Sequence, residues 1–302
     1  WYAEDNPGQE FPLPKVKGGD RRTVSVPPTP TQLAILLEVV SNFDTLKNIQ
    51  NPKERNAARL RLMDRARKLS LHAKAVDRSI NDEPGGKLDR AADEVAAIFH
   101  KWTKDKGTQL VFLDRGLPKG KGDSAIIKSF DALQAASNEA LSSGDEAAYG
   151  SAQDKLAKFD ANEIEEMRAA QEGGWNAYQH IKDGLIAKGV PANTIAFIQD
   201  HHTDAAKKQL FEAVKDGAIR VLIGSTPRMG AGMNVQERLV ALHHIDVTWK
   251  PSDIEQREGR IIRQGNALLE KYGKNFEVEI LAYVTERTVD AKLWSLNSMK
   301  LK

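Results

Sequence analysis

The chain has 302 residues, 40% of them hydrophobic, with 44 basic and 42 acidic side chains and a net charge of +2. That is room for one large or two smaller globular domains, and a near-neutral balance means that any nucleic-acid surface must come from local arrangement of cations. The absence of cysteine excludes disulfides, thiolate zinc sites and a cysteine nucleophile. With no signal peptide and no apolar run of membrane-spanning length, a soluble cytoplasmic protein is expected.

The chain opens on Trp1, and residues 1–30 are rich in proline, glycine and charge, which reads as an extended lead-in to a fragment or processed product. Within it Arg22 to Val26, RTVSV, suits an edge strand ahead of Pro27, Pro28 and Pro30. Residues 31–86 form a helical region: Leu33, Leu36, Leu37 and Val40, then Leu60, Met63, Ala66 and Leu69, recur at helical spacing. NDEPGGK breaks the pattern at Asn81 to Lys87, and a further helix follows from Leu88 to about Lys104.

QLVFLD, from Gln109, is a short continuous apolar run, as a buried strand of a parallel sheet should be. TIAFIQD, IRVLIGST and RLVALHHID repeat that pattern, with helical sequence such as Asp204 to Val214 between them. Alternation of this kind predicts an α/β fold, a parallel sheet with helices on both faces. Residues 115–174 interrupt it and read as an inserted helical hairpin, a solvated excursion without chemistry of its own, since loops accept insertions at little thermodynamic cost. The C-terminal stretch predicts one more strand and an amphipathic helix.

Ligands of an open parallel sheet bind at the carboxyl ends of its strands. After IRVLIG come Ser225 and Thr226, then Gly230, Gly232 and Asn234, which together can offer hydroxyls and backbone amides to phosphate. A dinucleotide fingerprint and a G-x-x-x-x-G-K-[ST] P-loop are both missing. The adjacent pairs His201–His202 and His243–His244 diverge on a strand or loop, and no metal site is expected from them. In PSDIEQREGRIIRQGN, Ser252 and Glu255 form a capping-box signature after Pro251, and Gly265 is the expected helix stop. A helix there places Gln256, Arg260 and Arg263 on one face and Ile254, Ile261 and Ile262 broadly opposite.

In order, these segments resemble the second RecA-like lobe of superfamily-two helicases, most closely the Swi/Snf-type DNA translocases. The resemblance covers most of the chain outside the insertion, with residues 87–302 as the lobe. GGKLDRAADEVAAIFHKWTKDKGTQLVFLD is similar to the family's Gly-Lys-Leu helix and strand, STPRMGAGMNVQ to motif V, and HHIDVTWKPSDIEQREGRIIRQGN to the Trp-x-Pro and motif VI sequence. The resemblance implies that Gln256, Arg260 and Arg263, with Gly259 allowing close approach, reach across a cleft to ATP and Mg²⁺ held mainly by a first lobe upstream of Trp1. It implies that Gly230, Gly232 and Asn234 lie near that nucleotide, and that Ser225, Thr226, Asp200 and His201 approach the backbone of double-stranded DNA. The wording of motif V is similar to large bacterial and phage proteins that join such a helicase to an adenine-specific DNA methyltransferase region. The implied activity is that of half a DNA-dependent ATPase, inactive alone; a non-catalytic helicase-like scaffold for DNA or protein is the alternative.

Overall fold

A computed structural model describes residues 12–230 and 233–300. Strands β1 (Lys15–Val16) and β2 (Arg22–Val26) lead into α1 (Pro30–Thr45), α2 (Pro52–Leu71), the short α3 (Ala73–Val76) and α4 (Lys87–Lys101). Next come β3 (Thr108–Phe112), then α5 (Asp123–Ser143), α6 (Glu146–Leu156), α7 (Ala161–Gln171) and α8 (Ala177–Ala187). The remainder alternates: β4 (Ile195–Phe197), α9 (Asp204–Lys215), β5 (Val221–Gly224), α10 (Thr226–Gly230), β6 (Leu239–His244), α11 (Pro251–Glu258), α12 (Ala267–Tyr272), β7 (Glu277–Thr285) and α13 (Val289–Lys300).

The strands form one seven-stranded sheet in the order β1-β7-β6-β3-β5-β4, with β2 also on β7, and every pairing is parallel. β1 and β2 share the same edge of β7, facing Glu277–Val278 and Leu281–Thr285 in turn, so the RTVSV segment is an edge strand as its prolines suggest. The strands in the middle are wholly buried, which is why their sequences read as unbroken apolar runs rather than as alternation. His243 and His244 show both faces of the sheet. His243 bonds to Gln109 and Tyr283, on the side where Gln109 also donates to the Val95 carbonyl of α4. His244 lies on the other side, against Phe112, Glu258 of α11 and Trp294 of α13. Their side chains diverge as the strand pattern requires, and helices cover each face.

Caps account for the starts of the helical region. Thr29 and Gln32 form a reciprocal capping box at α1, Asn51 caps α2, and both helices carry proline in the first turn. Of the apolar positions that mark this region, Ala66 and Leu69 are buried, whereas Leu33, Leu37, Val40 and Leu60 are exposed. Lys87 at the start of α4 pairs with Asp290 of α13 at 2.7 Å, with side chains 1% and 5% exposed, so α13 is tied back to α4.

Residues 115–174, read from the sequence as an inserted hairpin, hold three helices. α5 and α6 form the hairpin, joined through Gly144 in the left-handed conformation, and α7 follows. Ile164 and Met167 of α7 belong to the main core, which is what holds this segment against the sheet and its helices.

Candidate functional site

The carboxyl ends of β3, β5 and β6 converge on one ion network. Asp114 follows β3, Ser225 and Thr226 follow β5, and Asp246 follows β6. Gly224 sets the path of the middle loop: a Cβ there would collide with Ile198 and lie 2.7 Å from Met229 Cγ. The Thr226 backbone N–H donates to Asp114 Oδ1 at 2.6 Å, and the Asp114 N–H donates to Asp246 Oδ2 at 2.7 Å. Into this ring projects Arg257 of α11, 1% exposed by side chain. Its Nε donates to Thr226 Oγ1 (2.8 Å), one Nη to Asp114 Oδ2 (2.7 Å) and the other to the Asp246 carbonyl (3.0 Å), with the Phe112 ring 5.1 Å away. Burial, then the charge of Asp114, pushes the Asp246 carboxyl up from its ordinary value.

Ser225 is also fully buried. Its hydroxyl donates to Glu163 Oε1 of α7 at 3.1 Å and accepts from Gln199 Nε2 at 3.3 Å. The same Glu163 oxygen accepts from Arg228 Nε at 3.0 Å, while Arg228 Nη2 reaches Asp123 Oδ1 of α5 at 2.7 Å. Glu166, one turn on, accepts from the Gly116 N–H at 2.8 Å and pairs with Arg115. Of these, Ser225, Glu163, Glu166 and Arg115, together with Gln256, Trp249 and Arg67, line a cavity of about 290 Å³ between the strand ends and α7. Arg67 donates to the Val247 carbonyl and lies 5.2 Å from the half-exposed Trp249 ring; burial lowers its pKa to about 10.

The segment that carries the other arginines departs from the expected helix. α11 starts at Pro251 with Lys250 as its N-cap, and no Ser252 capping box forms, because proline is itself favoured at the first helical position. The helix ends at Glu258, ahead of Gly265. Turns replace it: Arg260 N–H to Arg257 carbonyl, then Ile261 and Ile262 N–H to Glu258 carbonyl. The apolar partition survives, with Ile254 and Ile261 buried, Ile262 half-buried and Gln256 exposed. Gly259 is exposed and adopts an ordinary right-handed conformation, and a Cβ there would lie 3.1 Å from the Glu255 carbonyl oxygen.

Arg260 is half-buried and donates to the Met233 carbonyl at 3.0 Å; burial, then the charge of Arg263, lowers its pKa. Arg263 is exposed and donates to Asn234 Oδ1 at 3.3 Å. The glycine-loop end and the arginines therefore meet. Gly230 closes the short α10, and Gly232 lies outside the described residues. Asp200 is exposed after β4, beside β5, and His201 is half-buried with Nδ1 3.2 Å from the Phe197 carbonyl.

Arg257, Asp114, Asp246, Glu163 and Arg228 were not singled out from the sequence. For the first three a signal exists: two acids end strands, and an arginine sits three residues before Arg260. Glu163 and Arg228 are 65 residues apart, and no local pattern joins them.

His72, Asp82 and His180 bring ligand atoms within 4.8 Å of one another. Their surroundings oppose a metal. His72 Nδ1 accepts the Lys74 backbone N–H at 3.1 Å, and the Trp175 indole N–H points at His180 Nδ1 at 3.4 Å. Neutral imidazoles bound through Nε2 would carry their protons on those Nδ1 atoms, against donors. A hydrogen-bonded cluster, with His180 Nε2 on Asp89 Oδ1 at 2.8 Å, fits instead.

The arrangement is that of a RecA-like α/β lobe, with its polar network at the strand ends. Among solved structures, the chain is similar to the C-terminal domain of the Sulfolobus solfataricus SWI2/SNF2 ATPase (12% identity, TM-score 0.54, covering 95% of this chain and 87% of that one). It is similar at the same identity to the C-terminal part of the Fun30 ATPase domain (TM-score 0.52, covering 95% and 90%). Against the S. solfataricus SWI2/SNF2 ATPase core domain, the match covers 93% of this chain and 42% of that one (TM-score 0.51). No family model and no curated protein matches the sequence. At this identity the likeness establishes the fold. No helix among the described residues is long and apolar enough to cross a membrane.

Proposed function

We propose that this chain is the C-terminal lobe of an ATP-dependent DNA helicase or translocase, contributing arginines to an ATP site shared with a first RecA-like lobe. The observation that carries this reading is the seating of Arg260 on Met233 and of Arg263 on Asn234, with Arg263 exposed. Guanidiniums so held can meet the charge that grows on a transferred phosphoryl group, an effect of about 10³ to 10⁵ in rate. Gln256, Gly259, Gly230, Gly232 and Asn234 would border the nucleotide. Mg²⁺ and the remaining phosphate contacts are assigned to the first lobe, since this sequence has no P-loop.

Duplex DNA would cross the strand ends near Ser225, Thr226, Asp200 and His201, held through its backbone without base readout. Arg257 is then a positioning residue. It joins Thr226, on the DNA side, to the segment bearing Arg260 and Arg263, so that closure on one ligand shifts the groups that meet the other. A DNA methyltransferase region in the same polypeptide, of bacterial or phage origin, is the partner that the motif wording favours.

The test is ATP hydrolysis by the complete polypeptide with and without duplex DNA, beside Arg260→Ala and Arg263→Ala. Loss of DNA-stimulated turnover in both variants with unchanged thermal midpoint is expected. Wild-type turnover in either variant removes that arginine from the site, and a well-folded parent with no hydrolysis favours the scaffold.

A further inference from the structure

The donors at the end of β5 are already occupied by carboxylates from the insertion. One oxygen of Glu163 accepts both the Ser225 hydroxyl and Arg228 Nε, and Asp123 holds the outer nitrogen of the same guanidinium. Hydroxyl and guanidinium side by side are what a phosphodiester oxygen takes from a protein. We propose that Glu163 is a built-in competitor for DNA phosphate, so that the insertion sets the affinity of the lobe for duplex DNA. This rests on the reading that the β5 end meets the DNA backbone.

The rest of α7 stays in place when Glu163 leaves. Ile164 and Met167 are buried in the core, and Glu166 is fixed on the Gly116 N–H and Arg115. Arg78 holds the far end through the Ala169 and Gly173 carbonyls. The moving part is therefore one side chain. Asp123 keeps Arg228 aimed at the loop while its Nε and the Ser225 hydroxyl become available. Glu163 is also poorly solvated, and burial raises its pKa, so its charged form is kept in this place at a cost in solvation. A carboxylate left against the cavity would repel the incoming phosphate, so exchange must remove it from these donors.

Glu163→Gln removes the charge at nearly constant shape. In the complete polypeptide, titrated with a fluorescent duplex oligonucleotide over a range of salt, the variant should bind about tenfold tighter. Its log affinity should fall more steeply with log salt, by about one unit of slope, because one more DNA phosphate is neutralised in the complex. Adding Ser225→Ala should return part of that increase. Glu163→Asp, a methylene shorter but still charged, gives an intermediate result and serves if the glutamine variant fails to fold. If wild type binds DNA and neither affinity nor slope changes in the variants, the competitor is wrong while the DNA surface stands. If neither wild type nor variant binds DNA, the reading beneath it fails.

Discussion

Arg257 and Arg263 lie six residues apart on one segment and live in opposite environments. Arg257 is 1% exposed, with its guanidinium divided among Thr226, Asp114 and Asp246. Arg263 is exposed and holds a long bond to Asn234. A buried cation with every donor placed inside its own chain stabilises the strand-end network; an exposed one, merely oriented, remains able to meet a ligand. The same residue type thus serves construction at one end and is left open to solvent at the other.

Substitution should separate the two most sharply. Arg257→Ala leaves Asp114 and Asp246 facing each other without their shared cation, a change of the kind that costs about 3–5 kcal/mol. Denaturant unfolding should show that loss. Arg263→Ala, at an exposed site, should stay within about 0.5 kcal/mol by the same measurement. Equal losses in the two variants would dissolve the contrast between them.

Acid should act on the buried network before it acts on the open arginine. Burial lowers the pKa of His243 to about 3 and of His244 to about 4, below the ordinary value of 6.5. Between about pH 4 and 6.5 the unfolded chain therefore binds more protons than the folded one, and stability rises with pH through that window. The loss on acidification is on the order of 3 kcal/mol for His244, from 1.36 kcal/mol per pKa unit. Asp246 and Glu163 shift the other way: their raised values favour the folded state as pH falls, so they offset part of the loss. Urea unfolding from pH 7 to pH 4 should give a falling midpoint, flatter in His244→Gln. A midpoint independent of pH would mean that the histidines are not neutral in the sheet.

Much of this molecule is legible without coordinates, and the division is physical. Buried parallel strands must be apolar on both faces, so β3, β5 and β6 announce themselves, and their order along the chain implies the sheet. That Arg263 should lie near Asn234 is implied by the family resemblance and not by the strand pattern. What stays hidden depends on contacts across long sequence separations. Glu163 reads as one acid among several on an insertion, and only folding brings it to Ser225, 62 residues away. Arg257 stands in the same short segment as Arg260 and Arg263, yet helical spacing alone does not say that its side chain turns inward beneath Asp114 and Asp246.

Local signals can also mislead, and the two ends of the same segment test this at the smallest scale. Asn266 looks incidental in sequence but is buried, caps α12 through the Leu268 and Leu269 N–H groups, and donates to the Leu239 carbonyl at 2.8 Å. Ser252 carries the capping-box pattern and is exposed, with Lys250 as the N-cap. Asn266→Ala should therefore cost about 1–2 kcal/mol through the lost cap and an orphaned carbonyl. Ser252→Ala should change stability by no more than a few tenths of a kcal/mol, the range of an exposed helical substitution. A loss of about 1 kcal/mol at Ser252 would mean that its hydroxyl caps α11 in solution, and that the helix begins two residues later than Pro251, at Asp253.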